Sequence, residues 1–115
     1  MSTTASELVQ DYFEAWNTFD AEQRRKTLEA IFTEDADIVD PDWTADGREA
    51  IVDAVGQARE KLGDLALGLT QVISAHHDVA LYAWYLGKET EPVAAGYGVL
   101  TFEKGRISQA RNFFG

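Results

Sequence analysis

The sequence predicts an α+β fold, in which a curled, mainly antiparallel sheet packs against helices grouped on its N-terminal side. Three observations carry that expectation. The first half of the chain places apolar residues at helical spacing in three segments, the second half holds four runs rich in β-branched and aromatic residues, and only short turn signals separate those runs. Consecutive strands joined by such short links pair antiparallel.

The elements follow in order. Leu8, Val9, Tyr12, Phe13 and Trp16 form one apolar stripe on a first helix, with Thr4 and Glu7 at capping-box spacing where it begins. Residues 17–20 end it, and Asp20 with Gln23 repeats the start signal for a second helix whose apolar face is Leu28, Ile31 and Phe32. Residues 37–40 read as a short strand closed by Pro41, because the residue before a proline avoids the helical region. Asp46 and Glu49 make a third capping pair ahead of a helix over 48–62, with Ile51, Val55, Ala58 and Leu62 on its buried side. Strands are expected over 65–75, 79–86, 93–102 and 107–114, broken by turns at 77–78, 87–92 and 104–105. Gly96 and Gly98 share a strand parity with Leu100 and Phe102. One stretch of that face therefore lacks side chains, which marks a bend or leaves room for a ligand.

Composition narrows the function classes. The chain has 115 residues, enough for one domain spanning 1–115 with a core of its own, and 45% of them are hydrophobic. Its net charge of −10 repels phosphate backbones and anionic lipid, so neither nucleic acid nor a membrane surface is expected as a partner. The basic run Arg24-Arg25-Lys26 reads as a solvated helix face. Cysteine is absent, which removes disulfides, thiolate nucleophiles and Cys-based zinc sites. No apolar run approaches the ~20 residues of a membrane span. Residues 1–6 are small and polar without a basic-then-apolar leader, so a cytoplasmic location is expected. His76 and His77 are neighbours, and strand alternation would turn them to opposite faces, so no metal site is expected there. No GxSxG or HExxH pattern is present.

The segment Val9-Gln10-Asp11-Tyr12, then Phe32, Val39-Asp40-Pro41, Gly47 and Ala50-Ile51, together with the ending Arg111-Asn112-Phe113-Phe114-Gly115, resembles the bacterial Δ5-3-ketosteroid isomerases. The opening Tyr-Phe-x-Ala-Trp-Asn and the run Gly105-Arg106-Ile107 are similar to the broader SnoaL-like group of the nuclear transport factor 2-like superfamily. The resemblance implies a cystatin-like α+β cone, with the sheet wrapped around three N-terminal helices and an internal pocket for a small hydrophobic molecule, and no cofactor. It implies Asp40 as the proton-shuttling carboxylate and Tyr12 as the phenol that donates to the enolate oxygen. Trp16, Phe32, Trp43, Val55, Gly98, Leu100, Asn112 and Phe114 are expected to line the pocket. Gly98 falls where those isomerases keep a protonated acid as second donor, and it brings no side-chain donor of its own. Asn112 is the candidate replacement. The resemblance also implies a homodimer through the outer face of the sheet, where Tyr82, Tyr97 and Val99 are expected.

The residues support this chemistry on their own terms. Tyr12 lies on its helix's apolar stripe, so its hydroxyl must find a partner in the interior. Asp40 sits beside Pro41 and Trp43, and a carboxylate among apolar neighbours is suited to general-base work. Plainer readings stand beside these: Asp40 as a turn initiator before proline, Tyr12 as a core residue, and Trp16, Trp43 and Trp84 as packing. Three functions remain open: proton transfer of isomerase or cyclase type on a small carbonyl compound, non-catalytic binding of an apolar metabolite, and limonene-type epoxide hydrolysis. The last wants two carboxylates bridged by an arginine. Arg111 is the candidate, but the parity that turns Asn112 inward turns Arg111 outward.

Overall fold

The computed structural model describes residues 4–115; of the small polar start, residues 1–3 lie outside the described residues. Helix α1 (Ala5–Trp16) begins at the expected capping box. The Glu7 N–H donates to Thr4 Oγ1 at 3.1 Å and the Thr4 N–H donates back to Glu7 Oε1 at 3.3 Å. Helix α2 (Ala21–Ile31) starts with the Gln23 N–H on Asp20 Oδ1 at 2.9 Å. Strand β1 (Phe32–Val39) follows without a loop, so Phe32 opens a strand and does not extend the second helix. This strand is twice the length expected from 37–40. Its first half carries Thr33, Glu34 and Asp35, and its register against the neighbouring strand shifts between Phe32 and Asp37, which erases the alternation that marks a strand in sequence.

A short strand β2 (Thr44–Asp46) doubles back on β1, pairing Ile38 with Ala45. It takes Asp46 out of the expected capping pair. Helix α3 (Arg48–Leu62) starts instead at Gly47, whose φ of 95° lets the chain turn from strand to helix and which offers no side-chain cap. Strands β3 (Leu67–His76), β4 (Val79–Lys88), β5 (Glu91–Glu103) and β6 (Arg106–Phe114) lie within three residues of the expected runs and pair antiparallel in sequence order. The sheet order is β2-β1-β6-β5-β4-β3. The β1–β6 pair is parallel, because α3 and the three strands after it separate the two in sequence and the chain returns on the same heading.

The curved sheet and the three helices form an α+β cone. Its core joins Val9, Tyr12, Phe13 and Trp16 of α1 to Leu28 and Ile31 of α2, to Ile51 and Val55 of α3, and to the inward residues of the sheet. Polar clamps hold the helices to the edge strand. The Asn17 amide exchanges two hydrogen bonds with the backbone of Leu67, at 2.7 and 2.8 Å. Arg59, 4% exposed, reaches from α3 to the carbonyls of Trp16, Gly63 and Leu65, and its guanidinium lies 4.7 Å from the Phe19 ring centroid. Arg24 is no solvated residue. It is buried and donates to the carbonyls of Thr18 and Phe19 at 2.9 and 3.3 Å, closing the turn between α1 and α2. Among the described residues, no helix is long and apolar enough to cross a membrane.

Candidate active site

A pocket of about 660 Å³ opens between α1, α3 and the concave face of the sheet. Its inner wall is aromatic. Tyr12, Phe13 and Trp16 come from α1, Trp43 from the turn after β1, Tyr82 and Trp84 from β4, and Phe114 from the end of β6. The Trp16 and Trp43 rings lie 6.3 Å apart between centroids, and those of Trp84 and Phe114 lie 6.0 Å apart. The α3 wall is made of Ala50, Ala54 and Ala58, spaced four apart and too small to fill the space, while Asp53, Gln57 and Lys61 form the rim.

Asp40 and Tyr12 meet in this pocket although 28 positions separate them in the sequence. The turn that presents Asp40 is local. Its N–H donates to the Trp43 carbonyl at 2.9 Å, and the Asp42 N–H donates to Asp40 Oδ2 at 3.2 Å. Asp40 is thus both a turn initiator and a pocket carboxylate. The parallel register Val39–Arg111 puts Asn112 beside it, and Asn112 Nδ2 donates to Asp40 Oδ1 at 3.1 Å. Arg111 faces away and pairs with Asp37 at 3.2 Å, as strand parity requires.

Tyr12 is 1% exposed, and neither its hydroxyl nor the Trp16 indole N–H has a hydrogen-bond partner among the described residues. Burial raises the Tyr12 phenol above its ordinary value of 10.0; among weaker influences, the Trp16, Asn112 and Tyr82 side chains nearby oppose that shift and the Asp40 charge adds to it. Tyr12 is therefore a neutral donor at physiological pH. A buried donor left without a partner costs free energy, and both residues carrying these donors line the pocket.

Four of the eight expected lining residues are in the wall: Trp16, Trp43, Asn112 and Phe114. The other four are not. Phe32 is wholly buried under α1, its ring 6.0 Å from that of Tyr12, because it belongs to β1. Val55 points into the core, and α3 turns its alanines to the pocket instead. Leu100 pairs with Ala80 and Ala110 in the closed part of the core. Gly98 is roofed by Tyr82, its cross-strand partner.

Tyr82 is the residue that the sequence placed wrongly. It was expected on the outer face and is instead 1% exposed on the inner one, while Tyr97 stays 48% exposed outside. A Cβ at Gly98 would collide with Tyr82 Cζ and Oη. Gly98 therefore makes room for the Tyr82 ring opposite it, while Gly96, opposite Trp84, admits first the Phe113 carbonyl of β6 and then the Trp84 ring. The missed signal lay in that pairing, since directly opposed residues share a face.

The expectation for the histidines also needs correction. His77 leaves the strand with φ of 51°, and this brings the Nδ1 atoms of His76 and His77 to 3.1 Å, on one side and not two. Both are exposed, and among the described residues no group of three His, Cys, Asp or Glu side chains converges as a metal site.

The sequence profile of the SnoaL-like domain matches residues 9–110. Among solved structures, a SnoaL-like family protein from Agrobacterium tumefaciens, to which isomerase activity has been ascribed, superposes with a TM-score of 0.87 at 27% identity, over 94% of each chain. A protein from Sinorhizobium meliloti, to which polyketide cyclase activity has been ascribed, gives 0.73 at 21% identity, covering 93% of this chain and 94% of that one. A nuclear transport factor 2-like protein of unknown function from Cytophaga hutchinsonii gives 0.74 at 16% identity, over 100% and 93%. The latter two likenesses concern the fold. None of the curated proteins matches the sequence significantly.

Proposed function

Because the chain belongs to the SnoaL-like domain family, we propose that its pocket catalyses proton transfer of isomerase or cyclase type, without a cofactor, on a small hydrophobic carbonyl compound. The observation that carries this reading is the Tyr12 hydroxyl, buried and unpartnered in the same pocket as the Asp40 carboxylate. With a ketone oxygen on Tyr12, Asp40 removes the proton from the neighbouring carbon. The C–H electron pair moves into the carbon–carbon bond, and the carbonyl π pair moves onto oxygen. The enolate oxygen accepts the Tyr12 hydrogen bond more strongly than the ketone did, which lowers the barrier. The protonated Asp40 then returns the proton to the same carbon or to a conjugated one. Asn112 holds the carboxylate in place through its amide N–H. The apolar walls exclude water and strengthen both interactions.

The test is hydrogen–deuterium exchange at the α-carbon of a bicyclic ketone such as β-tetralone, followed by NMR. Asp40→Asn is expected to slow the protein-catalysed exchange by roughly 10²–10⁴-fold, the usual worth of a positioned general base. Exchange that Asp40→Asn leaves unchanged would remove the carboxylate from the chemistry. Binding of the ketone with no catalysed exchange in the native protein favours a non-catalytic binder. Epoxide hydrolysis is the poorer reading: Asp42 and Asp53 do add carboxylates to the pocket wall, but Arg111, which that chemistry needs between two of them, is engaged with Asp37.

A homodimer is part of the proposal. Tyr97 and Phe113 are cross-strand partners on the outer face, about half exposed, and Leu81 lies on the same face. Tyr82 takes no part in it. Light scattering after size exclusion is expected to give twice the chain mass, and a monomer at micromolar concentration refutes the dimer.

A further inference from the structure

We infer that Tyr82, seated over Gly98, is a second hydroxyl donor to the ligand oxygen that Tyr12 serves. The inference rests on the proton-transfer reading of the site and supplies the donor that Gly98 itself lacks. The space above Gly98 is not free: the Tyr82 ring end and hydroxyl occupy the position a Cβ would need. A phenol from the adjoining strand therefore reaches where a side chain on residue 98 would have begun.

Asn112 gives one amide N–H to Asp40, and the end it turns toward Tyr82 is the acceptor Oδ1. That acceptor lies 3.5 Å from the Tyr82 hydroxyl, at the outer limit of a hydrogen bond. The Tyr82 O–H is thus held weakly and is free to turn to a stronger acceptor, which a developing enolate provides. The ring itself is well fixed. It meets Phe13 edge-on at 5.3 Å and lies 6.4 Å from the Tyr12 ring, both measured between centroids. Tyr12 and Tyr82 line the same pocket, and their side chains come from α1 and β4, two separate walls. Two donors from different walls define one point in the pocket, which fixes the carbonyl oxygen and so the face of the ketone presented to Asp40.

The protonation states agree. Burial pushes the Tyr82 phenol well above its ordinary value of 10.0, and the neighbouring Tyr12 and the Asp40 charge add to the shift. A neutral phenol is a donor across the physiological range. It needs no apolar pocket to keep it protonated, as a carboxylic acid in the same role would.

The experiment uses p-nitrophenol, whose phenolate stands in for the enolate and is seen directly by its visible absorbance. The native protein is expected to bind the phenolate in preference to the phenol. Tyr12→Phe and Tyr82→Phe should each reduce that preference by about ten- to a hundredfold, the worth of one hydrogen bond to a charged acceptor. Both variants keep the ring, and far-UV circular dichroism confirms folding. If Tyr12→Phe reduces the preference and Tyr82→Phe does not, the Tyr82 assignment is overturned and the proposed function stands. If the native protein shows no preference for the phenolate, or neither variant alters it, the donor site itself is refuted, and the proposed function fails with it.

Discussion

Replacing Gly98 by Ala tests the account of how Tyr82 comes to face the pocket. The added Cβ would sit on Tyr82 Cζ and Oη. The ring has little freedom to move, with Phe13 at 5.3 Å on one side and Tyr12 at 6.4 Å on another. Overpacking of this kind costs about 1–3 kcal/mol. Against it stands the gain of about 0.4–1 kcal/mol from a stiffer unfolded chain when Gly becomes Ala. The net loss expected in urea denaturation is therefore about 1–2 kcal/mol, equivalent to roughly 4–8 °C in Tm for a chain of this size. The decisive measurement is the same substitution in a Tyr82→Leu background, where the atoms at Cζ and Oη are gone. There Gly98→Ala should be neutral or stabilising by about 0.4–1 kcal/mol, so the two sites couple by about 1–3 kcal/mol. Additivity within about 0.5 kcal/mol would refute the reasoning, because the glycine would then serve something other than the tyrosine.

Two further expectations concern buried polar groups. Tyr12 and Tyr82 both have folded values raised above 10.0. Above that pH the unfolded chain releases these protons first and binds fewer than the folded one, so stability is fully present below about pH 10 and falls as pH rises beyond it. Urea midpoints measured from about pH 8 to 11 should show this decline, and the double variant Tyr12→Phe, Tyr82→Phe should flatten it; an equal decline in that variant would assign the effect elsewhere. Arg59→Met keeps the buried stem but strips the guanidinium from the carbonyls of Trp16, Gly63 and Leu65. With acceptors left unpaired, a loss of about 3 kcal/mol in ΔG of unfolding is expected, and a loss below about 0.5 kcal/mol would show that water replaces the arginine without cost.

The site is partly legible in the sequence. Asp40 carries a local signature, an aspartate before proline at the end of a strand, and Asn112 and Arg111 separate by simple parity on β6. Tyr12 lies on a five-residue apolar stripe that no other element could produce. The alanines of α3 were harder. Ala50, Ala54 and Ala58 form a pattern only when they are seen as a gap, whereas attention goes to the larger Ile51 and Val55, which fill the core. Sequence alternation marks only half of strand β1, because Thr33, Glu34 and Asp35 interrupt it where the register shifts. The capping pair at Asp46 and Glu49 failed because the same aspartate was needed in β2, a contact with β1 that local spacing does not announce.

The order of the elements other than β2, two of the three helix caps and the class of the fold follow from local pattern, since capping, helical spacing and turn chemistry act over a few residues. Which face of β4 meets the helices does not. A period of two divides a strand into two faces without saying which is inside, and Tyr82 and Tyr97 are equally credible on either. Only the register that sets Tyr82 against Gly98, and the helices that close over that face, decided that one tyrosine joins Tyr12 in the pocket while the other stays outside.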